Sequence, residues 1–165
     1  MATVTLKGNP CSTIGELPSV GQKAPNFSLK TVDLNETTLE DYKGSTLILN
    51  IYPSVDTGTC AASTRKFNEL ASQLENTKII CVSKDLPFAQ KRFCGAEGIE
   101  NVVMASDFAT GNFGTNYGVT LVDGPLQALH ARAIVVINPE GEVTYTQLIP
   151  EIVDEPNYDA ALAAI

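Results

Sequence analysis

Apolar and polar residues alternate or cluster along this 165-residue chain in patterns that place its elements. Strict alternation marks Thr3 to Lys7 and Phe27 to Val32, as expected of half-buried strands. Continuous apolar runs at Thr46 to Tyr52, Lys78 to Ser83 and Arg132 to Ile137 predict buried strands, the first of them central. Asn101 to Ala105 predicts one more. From about Cys60 the period lengthens. Ser63, Phe67, Leu70, Ala71 and Leu74 share one helical face, and Arg65, Lys66, Asn68, Glu69, Ser72 and Gln73 lie opposite. That helix is expected to end near Glu75-Asn76.

Breakers and caps divide the rest. Gly8-Asn9-Pro10 predicts a turn, with Cys11 to Ile14 returning as the partner strand of an N-terminal β-hairpin. Leu17 to Pro25 reads as a loop, and Thr38 to Tyr42 as one helical turn before Lys43-Gly44. Asp85 is placed to cap a short helix from Leu86 to about Cys94, with Pro87 in its first turn and Gly95 as its stop. Phe108 to Tyr117 is irregular or weakly helical, and Val119 to Leu129 is a loop. Asn138-Pro139-Glu140-Gly141 turns into a strand from Glu142 to Leu148, and the alanine-rich Tyr158 to Ile165 is helical. Two βα units followed by a β-hairpin and a terminal helix predict an α/β thioredoxin-like fold. A central mixed sheet would be flanked by helices in one domain, 1–165.

Composition narrows the function classes. A net charge of −8 disfavours nucleic acid and anionic membrane as partners, because both require clustered Lys and Arg. Met1 to Gly8 lacks the apolar region of a signal peptide, and no apolar run approaches transmembrane length. A cytoplasmic location is therefore expected. Four cysteines in a reducing compartment point to redox use rather than a static disulfide framework. No cysteine or histidine pair has zinc-ligand spacing, and His130, the only histidine, is read as a loop residue with no catalytic or metal role.

The chemistry concentrates in Pro53-Ser54-Val55-Asp56-Thr57-Gly58-Thr59-Cys60, a tight loop between a strand and a helix. The first amides of a helix lack intrahelical partners and carry partial positive charge, which favours an anion there. Cys60 is thus expected to be held as a thiolate and to be nucleophilic at neutral pH. Thr57, three positions earlier, brings a hydroxyl that can also cap the helix. Cys81, inside an apolar strand, reads as an inert core residue, and Cys11 is assigned no role. Phe88, Phe93 and Phe113 read as core or dimer contacts, or as the lining of an apolar mouth.

Pro53, Thr57 and Cys60 stand in a spacing that resembles the active-site signature of the peroxiredoxins. Cys94 and Arg132 extend the resemblance to that family's thiol peroxidase branch, of the atypical two-cysteine type, over nearly the whole chain. The resemblance implies a peroxidase that reduces hydrogen peroxide and organic hydroperoxides in antioxidant defence. Cys60 would be the peroxidatic residue and Cys94 the resolving one, joined in an intrachain disulfide that thioredoxin reduces. Thr57 would bond the thiolate and the peroxide, Arg132 would hold the thiolate ionised, and Pro53 would shield it from water. The resemblance implies a homodimer and no metal, haem or flavin cofactor. A thiol–disulfide oxidoreductase is the competing reading on this fold. It would use two cysteines separated by two residues, but Thr57 and Ser63 occupy the positions three before and three after Cys60. Cys60 and Cys94 are expected to start apart, so that both segments partly unwind for the disulfide to form.

Overall fold

A computed structural model describes residues 1–165. The N-terminal hairpin pairs β1 (Thr3–Leu6) with β2 (Asn9–Ser12). Its turn falls on Lys7-Gly8 rather than on Gly8-Asn9-Pro10. Both turn residues have positive φ, 50° and 85°, as a tight two-residue hairpin requires. Pro10 is therefore inside the second strand, opposite Thr5, in a two-stranded ribbon that tolerates its missing N–H.

The main sheet has seven strands: β3 (Ser28–Thr31), β4 (Glu36–Thr38), β5 (Thr46–Ile51), β6 (Thr77–Ser83), β7 (Val103–Ser106), β8 (Ala133–Ile137) and β9 (Val143–Leu148). Their spatial order is β4-β3-β7-β6-β5-β8-β9. The three-residue β4 is too short to show a period and was not expected; a 3-10 turn at Leu39–Tyr42 follows it, where one helical turn was. β5 lies between β6, which is parallel to it, and β8, which is antiparallel, so the sheet is mixed as predicted. All six β5 residues are buried.

Alternation along β5 sorts side chains between the faces. Leu47, Leu49 and Ile51 join Ile80, Val82, Val135, Phe113 and Tyr117 in the largest core cluster. Ile48 points the other way, with Ile79, Ile134 and Val136, and is covered by Phe67 and Ala161 from two helices.

Four helices complete the fold: α1 (Gly58–Ala71), α2 (Pro87–Glu97), α3 (Asn112–Asn116) and α4 (Tyr158–Ala163). α1 buries Cys60, Ser63, Thr64 and Phe67, the spacing of one helical stripe. It stops at Ala71, short of the expected Glu75. There the Ser72 hydroxyl donates to the Glu69 carbonyl, a local bond that competes with another helical turn. α2 runs through Gly95 and ends at Gly98, whose left-handed φ of 66° makes it the glycine that the terminus needs. Its N-cap is Leu86, and Asp85 makes no capping bond. No helix is long and apolar enough to cross a membrane.

Candidate active site

β5 delivers the chain directly into the loop that precedes Cys60. Tyr52 and Pro53 are buried as the chain leaves the strand, and α1 begins at Gly58 with Thr57 as its N-cap. Cys60 is therefore the third residue of α1, among the amides without intrahelical partners. Its side chain is fully buried, in one core cluster with Tyr52, Val55, Cys81, Phe93, Ile99 and Met104. Its carbonyl accepts the Ser63 and Thr64 hydroxyls at 2.9 Å each, and Thr64 is hydrogen-bonded to the Tyr52 hydroxyl at 3.0 Å. The first turn of α1 is thus tied to its second turn and to the end of β5.

Arg132 reaches this sulfur because of strand register. Ile51, the last residue of β5, pairs with Ala133, the first of β8. Arg132 precedes Ala133 and so lies beside the loop that leaves β5. Its Nη2 donates to Cys60 Sγ at 3.2 Å, and its Nε donates to the Ile152 carbonyl at 2.7 Å. The side chain is 1% exposed, and Nη1 is buried without a protein partner. The guanidinium therefore sets N–H donors and a positive charge against the sulfur. Low exposure strengthens its field there, since water does not screen it.

Thr57 is exposed, and its hydroxyl donates to the Ser54 carbonyl at 3.0 Å. It neither caps α1 through its side chain nor bonds Cys60 in this conformation. Cys94 lies on α2, half-buried, and packs at the edge of the same apolar cluster as Cys60. All four cysteines are free, and burial raises the Cys94 thiol above its ordinary pKa. Cys81 is fully buried on β6, where desolvation pushes its pKa up to about 12 against a weaker opposing bond from Asn50. That agrees with its reading as an inert core residue. Phe113 and Phe93 are core residues, whereas Phe88 is 66% exposed at the start of α2.

The sequence reading missed two acidic residues and one buried pair. Asp85, expected to cap α2, is turned instead toward the loop before Cys60. It accepts the Ser54 hydroxyl at 2.7 Å, the Val55 N–H at 2.8 Å and the Ser83 hydroxyl at 2.6 Å. An aspartate just before a helix carries a capping signal, and here the tertiary partners outweighed it. Glu151 accepts hydrogen bonds from the N-terminal hairpin. His130 is fully buried, with Nε2 3.0 Å from the Asp107 carboxylate, which also accepts the Phe113 and Gly114 N–H groups at the start of α3. This pair belongs to the packing at the start of α3.

No group of three or more His, Cys, Asp or Glu side chains is gathered as metal ligands. Two cavities, of about 430 and 370 Å³, are lined by other parts of the chain and include none of Pro53, Thr57, Cys60, Cys94 or Arg132.

Comparison with known proteins identifies the family. The sequence model of the Redoxin family matches residues 19–162. The chain is 57% identical over 165 residues to the thiol peroxidase of Mycobacterium tuberculosis, covering 100% of this chain and 99% of that protein. It is 53% identical to the thiol peroxidase of Corynebacterium glutamicum, with the same coverage. The crystal structure of a peroxiredoxin-like protein from Aquifex aeolicus superposes with a TM-score of 0.93 at 42% identity, covering 100% of this chain and 98% of that one. The chain therefore belongs to the Redoxin family, as a peroxidase of its thiol peroxidase branch.

Proposed function

We propose that Cys60 is the peroxidatic thiol of a two-step cycle and that Cys94 resolves it. The 3.2 Å contact between Arg132 Nη2 and Cys60 Sγ carries this reading. The Cys60 thiolate attacks one peroxide oxygen. An S–O bond forms, the O–O bond breaks, and the second oxygen leaves as alkoxide or hydroxide and takes a proton. Cys60 is left as a sulfenic acid, the first reversible step of thiol oxidation. Arg132 Nη1, a buried donor without a protein partner, is available to the oxygen that gains charge. The Thr57 hydroxyl joins it once it turns from the Ser54 carbonyl. Pro53, buried beside Tyr52, limits the approach of water.

Resolution follows when Cys94 attacks the sulfenic sulfur, expels water and forms the Cys60–Cys94 disulfide. Cys60 is fully buried in a helical turn and Cys94 is held in α2, so both segments unwind in part to bring the sulfurs together. α2 is suited to this, since it buries only Pro87, Gln90 and Phe93. Thioredoxin then restores both thiols by thiol–disulfide exchange. Hydrogen peroxide and organic hydroperoxides are the substrates. A homodimer of one-domain subunits, 1–165, in the cytoplasm completes the proposal.

The test is intact mass with thiol counting, before and after one equivalent of hydroperoxide. Loss of two protons and two free thiols, with Cys60 and Cys94 joined in one chain, supports the cycle. One added oxygen on Cys60 with Cys94 still free keeps the peroxidase and removes Cys94 as resolver. Thioredoxin-coupled turnover, and sedimentation of the native protein, test the reductant and the dimer.

A further inference from the structure

The segment Ile149–Val153 touches the active site from two directions. The Ile152 carbonyl fixes Arg132 through Nε at 2.7 Å, and the Val153 carbonyl accepts the Thr59 hydroxyl at 2.7 Å, in the first turn of α1. This segment has no regular secondary structure to hold it, so its position depends on what it is tied to. One tie runs to the residue that precedes β8, through Ile149 N–H to the Arg132 carbonyl at 3.0 Å. The others come from the N-terminal hairpin. Thr5 N–H donates to the Pro150 carbonyl at 2.7 Å, and Ile152 N–H donates to the Thr5 carbonyl at 2.8 Å.

Glu151 closes this arrangement with its side chain. One carboxylate oxygen accepts the Gly8 N–H at 2.8 Å and the Thr5 hydroxyl at 3.0 Å. The other accepts the Lys7 N–H at 3.0 Å and the Val153 N–H at 3.3 Å. The positive φ of Lys7 and Gly8 turns their adjacent N–H groups toward one acceptor, and a carboxylate meets such a pair with charge-assisted bonds. Partial burial pushes the Glu151 pKa up, but the bonds from Gly8, Lys7, Val153 and Thr5 together outweigh it and lower the value.

We propose that Glu151 is a positioning residue for peroxide reduction: by fastening the hairpin turn to the backbone next to Ile152, it sets where Arg132 stands against Cys60. The route is one peptide bond and two hydrogen bonds long, from Glu151 to the Ile152 carbonyl, to Arg132 and to Cys60 Sγ. A displacement of the Ile152 carbonyl moves the guanidinium and, with it, the group that favours the thiolate. The inference rests on Cys60 and Arg132 acting as proposed above.

The experiment follows the single-turnover reaction of hydrogen peroxide with the full-length chain against pH. It compares wild type, E151Q, R132K and the double variant. Wild type must first show oxidation at Cys60, and its failure to do so would remove the peroxidatic reading itself. Given that reaction, E151Q is expected to slow it about tenfold at neutral pH, inside the ~100-fold that a misplacement of about 1 Å can cost. The pH profile should also move to higher pH. In the R132K background, the added E151Q change should have little further effect, because its route has been cut. A wild-type pH profile in E151Q overturns the proposal, even with a lower melting temperature, since that is what a merely structural tie produces. An equal slowing in both backgrounds also overturns it. If E151Q does not fold, T5V decides the matter, because it removes one donor to Glu151 and leaves the hairpin backbone intact. A smaller shift in the same direction supports the role, and an unchanged profile overturns it.

Discussion

The Asp85 carboxylate accepts the Val55 N–H at 2.8 Å, joining the loop before Cys60 to the start of the helix that carries Cys94. The two proposed reacting segments are therefore fastened through one side chain, which also holds Ser54 and Ser83. The Asp85 carbonyl accepts the Ser106 hydroxyl besides, so the junction is anchored to β7. Opening either segment for the disulfide strains bonds that hold the other.

Asp85→Ala is expected to loosen both. Stability should fall by about 1–3 kcal/mol, the range for leaving buried hydrogen-bonding groups without a partner. The Cys60–Cys94 disulfide should form faster after one equivalent of peroxide, while the first oxidation of Cys60 slows because its loop is less ordered. Stopped-flow measurement of the two phases checks this; a resolution phase no faster than wild type would sink the coupling.

Arg132→Met removes the charge and donors at 3.2 Å from the sulfur while keeping an unbranched apolar stem. Loss of one preorganised donor at a developing charge costs about 10²–10³ in rate. The rate with hydrogen peroxide should fall by at least about a hundredfold on that basis. Lysine should restore only part, since one ammonium on a flexible stem does not reproduce the fork that meets both Ile152 and Cys60. Single-turnover rates, with circular dichroism to confirm the fold, decide the matter.

Cys94→Ser should react once with peroxide and then stop. Intact mass should show a single oxygen on Cys60, and thioredoxin-coupled turnover should be lost. Sustained cycling by this variant would show that another thiol resolves Cys60. Cys81 is not expected to replace it, because its thiol is buried on β6 and stays protonated.

Cys81 also gives an alkaline prediction. Its folded pKa, about 12, lies above the ordinary value of 9.0. Above pH 9.0 the unfolded chain releases this proton while the folded chain keeps it, so stability falls as pH rises from 9.0 toward about 12. Below 9.0 both states hold the proton, and the contribution is fully present. Denaturant melts across this range should show a shallower decline for Cys81→Ala than for wild type. Equal slopes would remove Cys81 as a source of the alkaline loss.

The sequence by itself determined every strand but β4, the helix whose first turn carries Cys60, and the burial of Cys81. These follow from neighbours within a few residues: a buried β5, a Pro- and Gly-containing loop, and the change to helical period after it. It was less informative at element ends. The stop glycine of α2 is Gly98 rather than Gly95, since only the backbone conformation distinguishes two similar candidates. The approach of Arg132 to Cys60, 72 residues away in sequence, was decided by the register of β5 against β8. Asp85 and Glu151 showed no local sign of their roles. Asp85 satisfies Val55, 30 residues back, and Glu151 satisfies Lys7 and Gly8, 144 and 143 residues away. A carboxylate takes its hydrogen bonds from whichever donors the fold brings near, and those donors are known only once the sheet and the hairpin are in place.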